Sequence, residues 1–140
     1  MTGIRRRMAR EPIVPIPPET DAVAKQVVDA AYNVHRRLGP GLLESVYETC
    51  LAHELAKRKV PFERQVNLPI VYDSIKLQSG LRLDLLVGGC LVVEIKSVEQ
   101  VTNPHAAQVL TYLRLSGHRL GLLINFNVTN IGMGIQRLAL

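Results

Sequence analysis

Tryptophan is absent, and two phenylalanines with four tyrosines bring the aromatic share to only 4%. That excludes a core of stacked rings and any series of aromatic side chains on which successive nucleobases could stack. Cysteine is nearly as scarce. Cys50 and Cys90 each sit inside an apolar pattern, which excludes a disulfide framework or a cysteine-based zinc module and predicts two buried, reduced thiols. No apolar run approaches the ~20 residues that a membrane-spanning helix requires. Arg5, Arg6, Arg7 and Arg10 are followed by Pro12, Pro15, Pro17 and Pro18, where a secretory signal would carry its apolar stretch. A cytoplasmic location with no membrane partner is therefore expected.

What remains is aliphatic and basic. Hydrophobic residues make up 47% of 140 positions, enough for one domain with a Leu, Val and Ile core and too little chain for two. A net charge of +5 suits an anionic partner such as nucleic acid, whose phosphates the cations would neutralise. Four of the arginines fall in the first ten residues, within a segment (1–18) that lacks periodicity and reads as a flexible basic, Pro-rich arm. A single folded domain is expected over 19–140.

Val23, Val27, Ala30, Ala31, Val34 and Leu38 recur at helical spacing, and Gly39-Pro40 stops that helix. Leu43, Val46, Tyr47, Cys50, Leu51 and Leu55 mark a second helix to about Lys59, ended by Pro61. Phe62–Leu68 and Ile70–Tyr72 alternate as strands, with Pro69 demoting them to an edge or a bulge. Gly80–Val87 and Leu91–Val98 read as a hairpin around Gly88-Gly89-Cys90. Asn103 offers an N-cap with Pro104 at the first position of a third helix running to Gly117. Leu120–Phe126 suits a central strand covered on both faces, and Ile135–Leu140 an added edge strand. This order predicts helices packed on a mixed sheet.

Within that aliphatic hairpin, Asp84, Glu94 and Lys96 are the residues that need an explanation, because buried charges are costly unless paired or holding a metal. Glu94 and Lys96 project from one face. A two-residue Gly88-Gly89 turn would set Asp84 opposite Val93 and scatter the group, whereas a three-residue Gly88-Gly89-Cys90 loop sets Asp84 opposite Glu94. Facing carboxylates repel unless a cation sits between them, and oxygen-only ligation with open positions is the preference of Mg²⁺ or Mn²⁺. The plainer alternative is a cross-strand charge ladder of Arg82, Asp84, Glu94 and Lys96 on a solvated face.

Asp84 followed by Glu94-Ile95-Lys96 resembles the D-(x)n-(D/E)-x-K signature of the PD-(D/E)XK nuclease superfamily, and Gly41-Leu42-Leu43-Glu44-Ser45-Val46-Tyr47 resembles the motif that names its GxxExxY family. The resemblance implies a restriction-endonuclease-like α/β fold: an αβββαβ core, a central mixed sheet flanked by helices, and here an extra N-terminal helix. It implies metal-binding acids at Asp84 and Glu94 with Ile95 in the metal set, the catalytic lysine at Lys96, and a helix-borne glutamate near the metal at Glu44. Placement of Glu44 at a helix N-terminus has a purely structural explanation as well. Tyr47 is expected to pack beneath the site. His105, Gln108 and Tyr112 share a helix face, with Gln108 chosen to hold a phosphate and Tyr112, His105 and Arg82 as substrate contacts. Packing for Tyr112 and plain helix surface for His105 are the alternatives. His35, His53 and His118 have no partner pattern and are expected at the surface.

The function expected is a nuclease, a hydrolase that cuts phosphodiester bonds of nucleic acid, DNA in the leading reading, with a metal-activated water. Two competing readings are a non-catalytic nucleic-acid-binding or assembly protein and a nuclease subunit that depends on a protein partner. Cutting both strands of a duplex calls for two sites, which makes a homodimer a reasonable form.

Overall fold

In a computed structural model that describes residues 14–140, the small side chains Ala24, Val27, Ala30, Ala31 and Val34 form the buried stripe of helix α1 (Pro18–Leu38). Gly39, at φ 70°, ends it. Helix α2 (Glu44–Lys57) buries Tyr47, Leu51 and Leu55 and stops short of Lys59, which adopts a left-handed φ of 59°. Five strands follow, β1 (Phe62–Tyr72), β2 (Ile75–Val87), β3 (Leu91–Lys96), β4 (Leu120–Asn125) and β5 (Ile135–Ala139), with helices α3 (Asn103–Ser116) and α4 (Ile131–Gly134) among them. The sheet order is β1-β2-β3-β4-β5. Only the β3–β4 pair is parallel, and α3 is the crossover that parallel neighbours require. The sheet is mixed and α2-β1-β2-β3-α3-β4 is the expected αβββαβ core, with α1 before it and α4 and β5 after it.

Both faces of the inner strands are covered. Val93 and Ile95 of β3 and Leu122 and Ile124 of β4 pack against α1 and α2, while Val92 and Leu123 pack against Val109, Tyr112 and Leu113 of α3. This two-sided burial is why these strands are nearly all aliphatic. Pro69 lies in the edge strand, where the β1–β2 register shifts between Leu68 and Ile70. One residue of β1 there faces three of β2, and a Cβ on Gly80 would come within 2.2 Å of the Leu68 carbonyl oxygen.

Several boundaries differ from the expectation. Strand β2 begins at Ile75, before Gly80, because Asp73 at φ 58° closes a tight turn and the polar stretch after it pairs back on β1. Strand β3 ends at Lys96, since the backbone of Val98 is clamped by the Asn125 side chain, N–H to Oδ1 at 3.1 Å and Nδ2 to the carbonyl at 2.9 Å. Thr102, one residue before the expected Asn103, is the N-cap of α3. His35, expected at the surface, is buried with Nε2 2.7 Å from the Val128 carbonyl oxygen. Cys50 and Cys90 are free thiols but only half-buried. Leu43 and Val46, assigned to the apolar stripe of α2, are exposed. Of the arm expected over 1–18, residues 1–13 lie outside the described residues. The carbonyls of Val14 and Pro15 accept from the Arg119 guanidinium, and Pro18 already belongs to α1.

Tyr47 ties the α1–α2 connection to the core. Its ring stacks on Phe126 with centroids 4.5 Å apart, while its hydroxyl donates to the Gly39 carbonyl (2.6 Å) and accepts from the Leu42 N–H (3.1 Å). Tyr47→Phe keeps the stack and strands both backbone groups. Urea denaturation is expected to show a loss of about 1–3 kcal/mol, with far-ultraviolet circular dichroism unchanged.

Candidate active site

Val87 pairs with Leu91, so the β2–β3 connection is the three-residue loop Gly88-Gly89-Cys90, with both glycines left-handed at φ 61° and 68°. The backbone ladder between these strands covers only Leu85–Val87 against Val93–Leu91. Beyond it, Asp84 stands where the register continues to Glu94, and its Oδ2 accepts from the Ile95 N–H at 2.8 Å. A side chain thus replaces the next rung, and the strands part around two carboxylates.

Glu94 is 5% exposed, and its Oε2 lies 3.4 Å from the Lys96 Nζ. Among the described residues, Glu94 Oε1 is the one buried side-chain oxygen without a hydrogen-bond partner. Burial first, and then the Asp84 charge, push the Glu94 carboxyl up to about 8 against the opposing pull of Lys96. Burial also raises Asp84, with the Ile95 N–H opposing and the charges of Glu48 and Glu44 adding to the rise. Tyr112, 5% exposed on α3, is raised to about 12 by burial and then by Glu94 and Asp84, which places its hydroxyl in their field.

A solvated charge ladder is therefore not what this hairpin forms. Glu94 is buried, and Arg82 is exposed with its Nε donating to Asn67 Oδ1 at 3.4 Å. Asp84, Glu94, Lys96 and Tyr112 come together, and Gln108 lies half-buried one turn before Tyr112 on α3. His105 is engaged at the start of that helix, where its Nδ1 accepts from the Thr102 N–H at 3.1 Å. Glu44 is exposed in the first turn of α2.

Sequence reasoning missed Glu48, four residues after Glu44 and so on the same helix face. Buried at 7% exposure, it accepts from Arg64 Nε (3.0 Å) and Gln65 Nε2 (2.7 Å), and it acts on Asp84 more strongly than Glu44 does. Gln65 takes a left-handed φ of 52° between Arg64, which pairs with Leu85, and Val66, which pairs with Leu83. This irregularity in β1 lies opposite Asp84, and the four-residue spacing from Glu44 was the available signal.

The family model for the PD-(D/E)XK nuclease superfamily matches residues 21–138. The chain belongs to the PD-(D/E)XK nuclease superfamily. No curated protein and no solved structure matches it. Superfamily membership points to a nuclease, a hydrolase acting on nucleic acid, and the αβββαβ sheet fits that assignment. Among the described residues no helix is long and apolar enough to cross a membrane.

Nucleases of this superfamily are generally dependent on divalent metal, and the residues at the strand fork fit such an ion. The Oε1 of Glu94 is buried without a hydrogen-bond partner, a position that a proton relieves below about pH 8 and that a divalent ion would relieve in its place, with a second carboxylate beside it. Among the described residues no group of three His, Cys, Asp or Glu side chains converges on one point. Asp84 and Glu94 would therefore be completed by other oxygens, to which Ile95 can add only its backbone carbonyl.

The raised Glu94 carboxyl has a consequence for stability without metal. Between about pH 4.5 and pH 8 the folded protein keeps a proton that the unfolded chain has released, so stability falls as pH rises through that window and then levels off. Glu94→Gln mimics the protonated form. In chelator, its melting temperature is expected to match the wild type near pH 5 and to exceed it increasingly up to pH 8; parallel profiles would refute the assignment.

Proposed function

We propose that the protein is a Mg²⁺- or Mn²⁺-dependent nuclease of the GxxExxY family that hydrolyses phosphodiester bonds of nucleic acid, DNA in the first instance. One observation carries this reading: a buried carboxylate oxygen without a partner, beside a second carboxylate and a lysine. A carboxylate pair held out of water is costly without compensating charge, and Lys96 contacts only one oxygen of Glu94.

Asp84 and Glu94 would hold the metal, with Ile95 supplying its carbonyl and Glu44 adding charge from the rim of the site. When bound, the ion supplies Lewis-acid polarisation of the phosphoryl oxygen and lowers the pKa of water. Asp84 is fixed for this task by the Ile95 N–H, and Glu94 by Lys96. Lys96, only 16% exposed at its side chain, is positioned to stabilise the charge that develops on phosphorus-bound oxygens during in-line attack. Gln108 and the Tyr112 hydroxyl, which burial and the carboxylates keep protonated, can donate to the substrate phosphate. Arg82 and His105, exposed and half-exposed, are outlying substrate contacts.

Labelled single-stranded, duplex and branched DNA, and RNA, should be cut only with Mg²⁺ or Mn²⁺. Asp84→Ala and Lys96→Ala should each lower the rate by about 10²-fold or more. Cleavage that survives in both variants or in chelator would refute the reading, as would a wild type that neither cuts nor melts higher on addition of metal.

A further inference from the structure

Beside the carboxylates lies a hollow of about 290 Å³ that the proposed reaction does not use. Its floor is set by strand register. Glu94 pairs with Leu123 of β4, and Leu123 pairs with Gln136 of β5, so the three side chains form one row across the α3 face of the sheet. Lys96 and Asn125 form the next row. At a strand spacing of about 4.8 Å, the hollow begins one to two strands from Glu94, within reach of a single nucleotide.

One wall, Glu99 to Val101, continues from Val98, whose backbone the Asn125 side chain grips at both N–H and carbonyl. Met133 and Gly134, just before β5, also line it, with the Met133 side chain exposed. Its lining carries three amide side chains, Gln100, Asn125 and Gln136, of which Asn125 is engaged by the Val98 backbone, together with the aliphatic Val101, Leu123 and Val128. No lysine or arginine lines it, and Glu99 adds a negative charge, so a phosphate would meet repulsion without a cation. A flat, uncharged group with a donor and acceptor edge fits, and side-chain amides are suited to the edge of a nucleobase.

We propose that this hollow seats an unpaired nucleobase of the substrate, next to the phosphate held at the strand fork. The substrate class is then nucleic acid with an unstacked nucleotide at the cut, in a single strand, flap or junction. Drawing a base out of an intact duplex costs its pairing and stacking, which an already unpaired base does not lose. This inference rests on the nuclease reading of the same site, so its test includes a measurement that needs no turnover.

Fluorescence anisotropy would compare the binding of Asp84→Asn to a single-stranded oligonucleotide, to an abasic sugar-phosphate strand of the same length, and to a blunt duplex. The base-bearing strand should bind about tenfold or more tighter than the abasic one, and Gln100→Ala/Gln136→Ala in the same background should bring that ratio close to one. In parallel, the wild type should cut the single strand faster than the duplex. Equal binding of abasic and base-bearing strands, or a ratio untouched by loss of the two amides, would overturn the hollow as a base site. Failure of the nuclease reading shows separately, as absence of cleavage of every strand with Mg²⁺ or Mn²⁺.

Discussion

The parting of β2 from β3 is the constraint on which the rest depends. Antiparallel neighbours normally run their ladder to the end of the shorter strand, but here it stops after three residue pairs. The Ile95 N–H, which would otherwise lose its partner inside the protein, is taken by the Asp84 carboxylate. One hydrogen bond therefore closes the gap in the sheet and aims an acid into it. The fork would leave β3 without a full partner if the sheet ended there. It is tolerable because β4 holds β3 from the other side over its whole length, Leu91 to Lys96.

Around the fork, elements distant in sequence are arranged to keep charge where it is expensive. Helix α2 brings Glu48 behind Asp84, with Arg64 and Gln65 of β1 neutralising and orienting it. Helix α3 closes the other side with Tyr112 and aliphatic side chains, which removes the water that would otherwise relieve the carboxylates. Ser97, directly after Lys96, donates to the Leu42 carbonyl at 2.6 Å, so the glycine-rich connection before α2 is fastened to the end of β3. Leu43 and Val46 then stand exposed beside that fastening, which explains why an apolar pattern at the start of α2 does not lead into the core.

Most of the fold is legible from spacing and punctuation. The alanine and valine stripe of α1, the Gly-Pro stop, and the aliphatic runs of β3 and β4 follow from periodicity and two-sided burial. The edge position of β1 was readable from Pro69, because a residue without an N–H cannot serve an inner ladder. The meeting of Asp84 and Glu94 was readable as a conditional on loop length, and the glycines at 88 and 89 satisfy the longer loop. Illegible were features created by tertiary contact alone: the His35 pairing to Val128, the Asn125 clamp that shortens β3, and the bonds that Arg64 and Gln65 make to Glu48. Each involves a polar side chain whose partner is remote in sequence or set by a local irregularity, and neither is encoded in hydrophobic pattern.

The two margins of the sheet bear on how copies of this chain can meet. At one margin, β1 lacks the Pro69 amide and slips register there, so it cannot present an unbroken row of donors and acceptors to a neighbour. At the other, β5 is five residues long, and its Arg137 is held by Asp21 of α1 at 2.6 Å. The proline and slipped register of β1 and the shortness of β5 each make strand-by-strand addition of another copy, the route to fibrils, less favourable at these margins.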